Sequence, residues 1–204
     1  MSITNGYCAL TDVKAALRMG TADTTDDALL DLAIESASRL VDDVCDRVFY
    51  ASGTGVTRDF APATWSYCPT DDLISISSVS IDADADGTYE DDWTASDYRT
   101  FPANNLAGGR AWPTTGLFAI EDKRFYPYRD ELTVRVVGNY GFAATVPTDV
   151  KNATVLLALR QFKRYDSPLG VAGFGDMGAV RVSRIDPDVD AMLARYKRSR
   201  VAVA

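Results

Sequence analysis

The sequence predicts an α+β protein, a small α-helical bundle at the two ends of the chain with a central β insertion. Three observations carry this. Apolar residues recur at helical spacing over residues 30–48 and again over 150–165. Between about residues 51 and 145, Gly, Pro, Ser, Thr and Asp punctuate short apolar runs, which is the grammar of strands and turns. Helix-start signals return at Val146-Pro147-Thr148-Asp149 and at Asp186-Pro187-Asp188. The expected organisation is therefore residues 1–50 as N-terminal helices of the core, 51–145 as the β-rich insertion, and 146–204 as C-terminal helices, glycine-rich loop and basic tail.

The first helix is short. Leu10-Thr11-Asp12 reads as staple, N-cap and first-turn acid, with Val13, Ala16 and Leu17 on one face and Gly20 as the stop. The second is long. Thr24 or Thr25 caps it, Asp26 and Asp27 sit near the positive end of its dipole, and Leu30, Ala33, Ile34, Ala37, Leu40, Val41, Val44 and Val48 form its apolar stripe. Asp31, Glu35, Arg39, Asp42 and Asp46 occupy the other face.

Leu73–Ile81 reads as a strand whose alternation slips at Ser77-Ser78, which predicts a bulge or bend there. Asp97–Phe101, Leu117–Ile120 and Leu132–Gly138 read as further strands, and Pro102–Pro113 as a loop. Val150–Tyr165 carries an apolar arc wide enough to be packed on two sides. The last helix, opened by Asp186-Pro187, turns Val189, Met192, Leu193 and Tyr196 inward and ends in Arg195, Lys197, Arg198 and Arg200. Its small apolar set predicts docking that depends on a partner.

Composition narrows the function. The 204 residues include no histidine, which removes Ser-His-Asp and Cys-His nucleophile systems and His-ligated zinc. Cys8, Cys45 and Cys68 match no metal or redox spacing and read as free thiols, Cys45 buried in its helix and the other two in irregular segments. The N-terminus carries no secretion signal and no run is apolar enough for a membrane span, so cytoplasmic assembly is expected. Residues 1–100 hold 19 Asp and Glu against 6 Lys and Arg, whereas 101–204 hold 10 against 15. Opposite halves of that kind can meet head to tail between copies.

Several stretches admit a chemical and a structural reading. Asp82, Asp84 and Asp86, followed by Gly87, start like a calcium loop, because alternate carboxylates converge on a hard cation. Position 12 of that loop, however, is Trp93, and a solvated Asp-Gly hairpin tip uses the same residues. On the chemical reading this stretch belongs to a calcium-dependent β-module that binds carbohydrate or stabilises a larger assembly. Gly170, Gly173, Gly175 and Gly178 lack the strand before and the lysine after that a phosphate loop needs, and read as a loop moulded by a partner. Adjacent acid pairs such as Asp42-Asp43 do not face each other as glycosidase chemistry demands. Arg195–Arg200 serves a helix C-terminus or a docking tail equally well. Among the clustered aromatics, Phe118 is assigned to the core, and Trp112, Phe125, Tyr126 and Tyr128 to an interface.

Three stretches carry a resemblance. YCALTDVKAALRMG with DDALLDLAIESASRLVDDVCDRVFY, then VVGNYGFAATVPTDVKNATVLLALRQFKR, then SPLGVAGFGDMGAVRV with DPDVDAMLARYKR resemble, in that order, the head-tail connector (adaptor) proteins of tailed bacteriophages. The resemblance spans most of the chain outside about residues 51–130. It implies a virion protein without a catalytic site or cofactor, assembled in the host cytoplasm into a homo-oligomeric ring, commonly a dodecamer. Such a ring lies beneath the portal protein, extends the channel for double-stranded DNA, and binds a stopper or tail protein below. It further implies that Gly170, Gly173, Gly175, Gly178, Arg195, Tyr196, Lys197, Arg198 and Arg200 belong to a segment contacting the portal or a neighbouring subunit.

Overall fold

A computed structural model describes residues 3–105, 111–129, 131–165 and 186–198. The fold is α+β, with four α-helices and a six-stranded antiparallel sheet among the described residues. Two compact units divide the chain: Met1–Arg47 with Val146–Ala204, and Val48–Thr145.

The helical unit contains α1 (Leu10–Leu17), α2 (Asp27–Cys45), α3 (Thr148–Tyr165) and α4 (Pro187–Leu193), the last followed by a 3-10 turn, Ala194–Tyr196. Helix α3 packs on α1, α2 and α4, the central place its composition predicts. Its buried face is Val150, Ala153, Thr154, Leu157 and Ala158. That of α2 is Leu30, Ala33, Ile34, Ala37, Ser38, Val41 and Cys45. The buried arcs are narrower than the sequence predicts, because Leu40 and Leu156 stay 38% and 40% exposed.

The helix ends also differ from expectation. Thr11 lies inside α1; the N-cap is Ala9, whose N–H donates to the Asp12 carboxylate at 2.8 Å. Left-handed Arg18 (φ 60°) ends α1 before Gly20, and left-handed Asp46 (φ 52°) ends α2. Asp26, rather than a threonine, is the N-cap of α2. Lys14 is buried and ties α1 to the start of α2, pairing with Asp27 at 2.5 Å and donating to the Asp23 carbonyl at 2.6 Å. Lys151 ties α3 to α1 through Asp12 at 2.9 Å.

The β unit is built on one long strand. Strands β1 (Val56–Phe60), β2 (Tyr67–Ile81), β3 (Asp91–Trp93), β4 (Tyr98–Phe101), β5 (Thr114–Ala119) and β6 (Val134–Tyr140) run in the order β1-β6-β2-β5-β4, with β3 paired to the far end of β2. The predicted slip is present: Ile76 faces Gly138 and Ser78 faces Val137, so Ser77 is an inserted residue. A second insertion lies between Leu73 and Ser75. Leu73, Val79 and Ile81 consequently all reach the core, with Cys68, Trp93, Leu117, Phe125, Val134, Val136 and Tyr140. Gly138 is required beside the bulges, since a Cβ there would lie 2.4 Å from the Ser75 carbonyl oxygen. Strands β1 and β3 are additions to the sequence reading, and Leu132 lies outside β6, 53% exposed.

Candidate functional site

The C-terminal segment is docked in the helical unit. Asp186 caps α4 as its sequence predicts, its carboxylate accepting the Asp188 N–H at 3.0 Å, with Pro187 as the first helical residue. Val189, Leu193 and Tyr196 are at most 3% exposed. The Arg198 N–H donates to the Cys45 carbonyl at 2.8 Å, fastening the segment to the end of α2. The expectation of partner-dependent docking is corrected for residues 186–198: backbone and ionic ties add to the four apolar side chains that the sequence offered.

The cations of this segment already have work within the chain. Arg195 lies over the Tyr196 ring at 4.7 Å, donates to its hydroxyl, and pairs with Asp149 at 2.7 Å. The bond to Tyr196 leads in pushing the Arg195 pKa further up, so its charge is fixed. Lys197 pairs with Asp190 at 2.6 Å. Arg195 and Lys197 remain exposed and Arg198 half-buried, so the segment presents cations, whereas Tyr196 is enclosed. Gly170, Gly173, Gly175, Gly178 and Arg200 lie outside the described residues. Folding also brings acidic and basic sequence together. Asp12 of the acidic half meets Lys151 of the basic half inside one unit, so part of the charge asymmetry is satisfied within the chain rather than between copies.

The acidic motif is the connection between β2 and β3, which pair from Ile81 and Asp91. The buried Asp82 carboxylate accepts the N–H groups of Ala85 (2.7 Å), Asp86 (3.3 Å) and Gly87 (2.8 Å). Burial acts to raise its pKa, but these backbone donors together outweigh it and hold the carboxyl below the usual aspartate range. Asp84, Asp86 and Glu90 are exposed, and with Asp82 they can bring carboxylate oxygens within 4.8 Å of one another. The sequence reading missed Glu90, because it looked for a ligand at position 12, where buried Trp93 packs on Phe125 at 4.9 Å. The loop's own turn accounts for Asp82: both of its oxygens are engaged by backbone donors.

Two aromatic assignments are reversed. Phe125 is fully buried and Phe118 is 39% exposed. Strand parity is the reason: Leu117 points into the core, which turns Phe118 outward. There Phe118 meets Tyr67 at 4.8 Å and Phe101 at 5.8 Å, on the sheet face beside the edge strand β4. Exposed aromatic patches of this kind are commonly contact surfaces.

Nucleophile chemistry finds little support. Burial pushes the thiols of Cys8 and Cys68 up to about 12 and that of Cys45 to about 11, so all three stay protonated at neutral pH. They are free and buried; Cys68 is in β2, not in an irregular segment. Burial also raises the Asp42 pKa, but its carboxylate accepts the Tyr7 hydroxyl and anchors the N-terminal segment to α2, a structural use. Among the described residues no helix is long and apolar enough to cross a membrane.

No family model matches the sequence, and no curated protein matches it. Solved structures share the fold over the whole chain. The neck of an empty gene transfer agent particle computed with C6 symmetry contains a chain 17% identical, with a TM-score of 0.61, covering 100% of this chain and 96% of that one. The neck of the native particle computed with C12 symmetry contains one 15% identical, with a TM-score of 0.58 and the same coverages. The virion of the native gene transfer agent particle gives 16% identity and a TM-score of 0.55, again with coverages of 100% and 96%. At such identities the likeness establishes the fold, including the part of the β unit, about residues 51–130, that the sequence resemblance left uncovered.

Proposed function

We propose that this chain is a structural neck protein of a tailed, phage-like particle: a head-tail adaptor that forms a ring beneath the portal, extends the DNA channel and offers a docking surface to a stopper or tail protein. The observation that carries this reading is the full-length likeness to chains in particle necks, which coincides with the independent connector-like order of three sequence stretches. Necks reconstructed with C6 and C12 symmetry support a homo-oligomeric ring, for which a dodecamer is the natural copy number.

The chemistry of the chain suits that role. A ring subunit needs no catalytic group and no cofactor, and this chain has no histidine and only protonated, buried thiols. The chain carries a net charge of −8. Double-stranded DNA binds proteins chiefly through neutralised phosphates, so a net acidic ring offers it little to adhere to. The portal-facing segment in this reading comprises the glycine stretch with Gly170, Gly173, Gly175 and Gly178, and the cations Arg195, Lys197, Arg198 and Arg200.

Cosedimentation with portal-bearing capsids tests the assignment. The wild-type chain is expected to attach, and a Lys197→Glu, Arg198→Glu, Arg200→Glu variant with unchanged circular dichroism is expected to attach far less. Arg195 is left in place because its pair with Asp149 ties the segment to α3, whereas Lys197 pairs within the segment, with Asp190. A wild-type chain that ignores portal-bearing capsids contradicts the adaptor role, and a variant that binds like wild type removes the C-terminal segment from the contact.

A further inference from the structure

Helix α2 has two apolar stripes, and the helical unit uses only one. Leu29, Leu32 and Leu40 are 39%, 46% and 38% exposed and, with Ser36, follow one another around the helix on a side away from the buried residues Leu30, Ile34, Ala37 and Val41. Asp43 continues the stripe toward the C-terminal end and is exposed. Helix α3 repeats the arrangement. Leu156 is 40% exposed, Leu159 is half-buried beside it, and Asn152 and Lys163 extend that stripe at each end, opposite the buried Val150, Ala153, Thr154 and Leu157.

These stripes complement each other in length and at one charged end: the α2 stripe ends in the exposed acid Asp43 and the α3 stripe in the exposed cation Lys163. The ion pairs of these helices run elsewhere: Asp27 to Lys14, Asp42 to Arg39, Lys151 to Asp12 and Asp149 to Arg195. Helices α2 and α3 pack on each other, and each outer stripe lies around its own helix from the residues buried there, so the two stripes are separate surfaces of one unit. One surface that fits another is what a heterologous, ring-closing contact requires.

We propose that the outer stripe of α2 in one copy docks on the outer stripe of α3 in the next copy. This rests on the ring reading above and names its contact. The spacing from Leu32 to Asp43 equals that from Asn152 to Lys163. A parallel pairing therefore sets Leu40 beside Leu156 and Leu159 and brings Asp43 to Lys163.

Sedimentation velocity of the full-length protein, from about 1 μM to about 1 mM, tests the contact over the range of weak to moderate affinities. Concentration-dependent association is expected. A Leu32→Glu, Leu40→Glu variant and a Leu156→Glu variant should each weaken it by about tenfold or more, equivalent to 1.4 kcal/mol or more. When the two variants are mixed, one intact stripe from each remains, so heterodimers should form and nothing larger. Asp43→Lys and Lys163→Glu should each weaken association alone and restore it together; these surface changes decide the matter if a glutamate variant fails to fold. The proposal is overturned if the wild type stays monomeric throughout, as it would if another segment of the chain covered the stripes. Variants that assemble like wild type, or a mixture that forms no heterodimer, overturn it equally. Each of those results leaves the neck reading standing, because incorporation of the wild-type chain into particles is scored separately.

Discussion

Replacing Leu193 with alanine asks how the C-terminal segment is held. Leu193 is fully buried, while the ties around it lie nearer the surface: the Arg195–Asp149 pair is about half exposed and the Lys197–Asp190 pair similar. Exposed pairs of this kind contribute at most about 1 kcal/mol each. Leucine-to-alanine changes at enclosed sites cost about 2–5 kcal/mol. A loss of about 3 kcal/mol corresponds to a rise of about a hundredfold in the undocked population. Amide hydrogen exchange over residues 187–198 should accelerate by about that factor if exchange proceeds through undocking. Cys45 supplies a second reading, because its carbonyl accepts the Arg198 N–H and its thiol is buried. Mass spectrometry after thiol labelling should find Cys45 modified sooner in the variant, with Cys68 in the β unit unchanged. Unaltered exchange over 187–198 and unaltered Cys45 labelling would refute the reasoning that Leu193 anchors this segment.

Other perturbations probe the remaining parts. Gly138→Ala should destabilise the β unit by about 1–3 kcal/mol, read as a lower urea midpoint, because the new methyl group meets the Ser75 carbonyl. Asp82→Ala should loosen the β2–β3 connection, seen as faster exchange at the Ala85 and Gly87 amides, and calcium or chelator should leave the wild-type thermal midpoint unmoved; a calcium-dependent rise would establish a site at Asp82, Asp84, Asp86 and Glu90. The bond to Arg135 lowers the Asp59 pKa against the opposing effect of burial, so its contribution is present above about pH 4 and lost as pH falls through the folded value; Asp59→Asn should lower the midpoint at pH 7 and flatten the acid loss. Burial raises the Asp42 pKa, which costs stability once the group ionises, so Asp42→Asn should be neutral or stabilising at pH 7 and lose that advantage as pH falls through the folded value.

The parts of the fold legible in sequence are those whose side chains must alternate or repeat. Helices α2 and α3 announce themselves through helical spacing, and β6 through Val134 and Val136. The bulge at Ser77 is readable because Ile76 and Val79 have opposite parity. Strands β1 and β3 were hidden because Thr57, Arg58, Asp59, Asp91 and Asp92 are polar; backbone pairing to β6 and β2 makes them strands, and backbone pairing leaves no side-chain signature. Arg18 and Asp46 end their helices in a left-handed conformation that favours glycine, so no terminator was visible there. Of the candidate site, the Asp186-Pro187 cap and the acidic hairpin were legible. The enclosure of Tyr196 and the pairing of Arg195 with Asp149 depend on contacts distant in sequence, as does the arrival of Glu90 beside Asp82, which needs the geometry of the β2–β3 connection.

Electron microscopy of particles carrying this chain tests the central claim most directly. The neck reading expects a closed ring of this α+β fold immediately below the portal, its symmetry twelvefold or a divisor of twelve, with α2 of each subunit against α3 of the next. A particle whose neck contains no density for this fold, or in which the chain occupies another place such as the capsid shell or the tail tip, would contradict it.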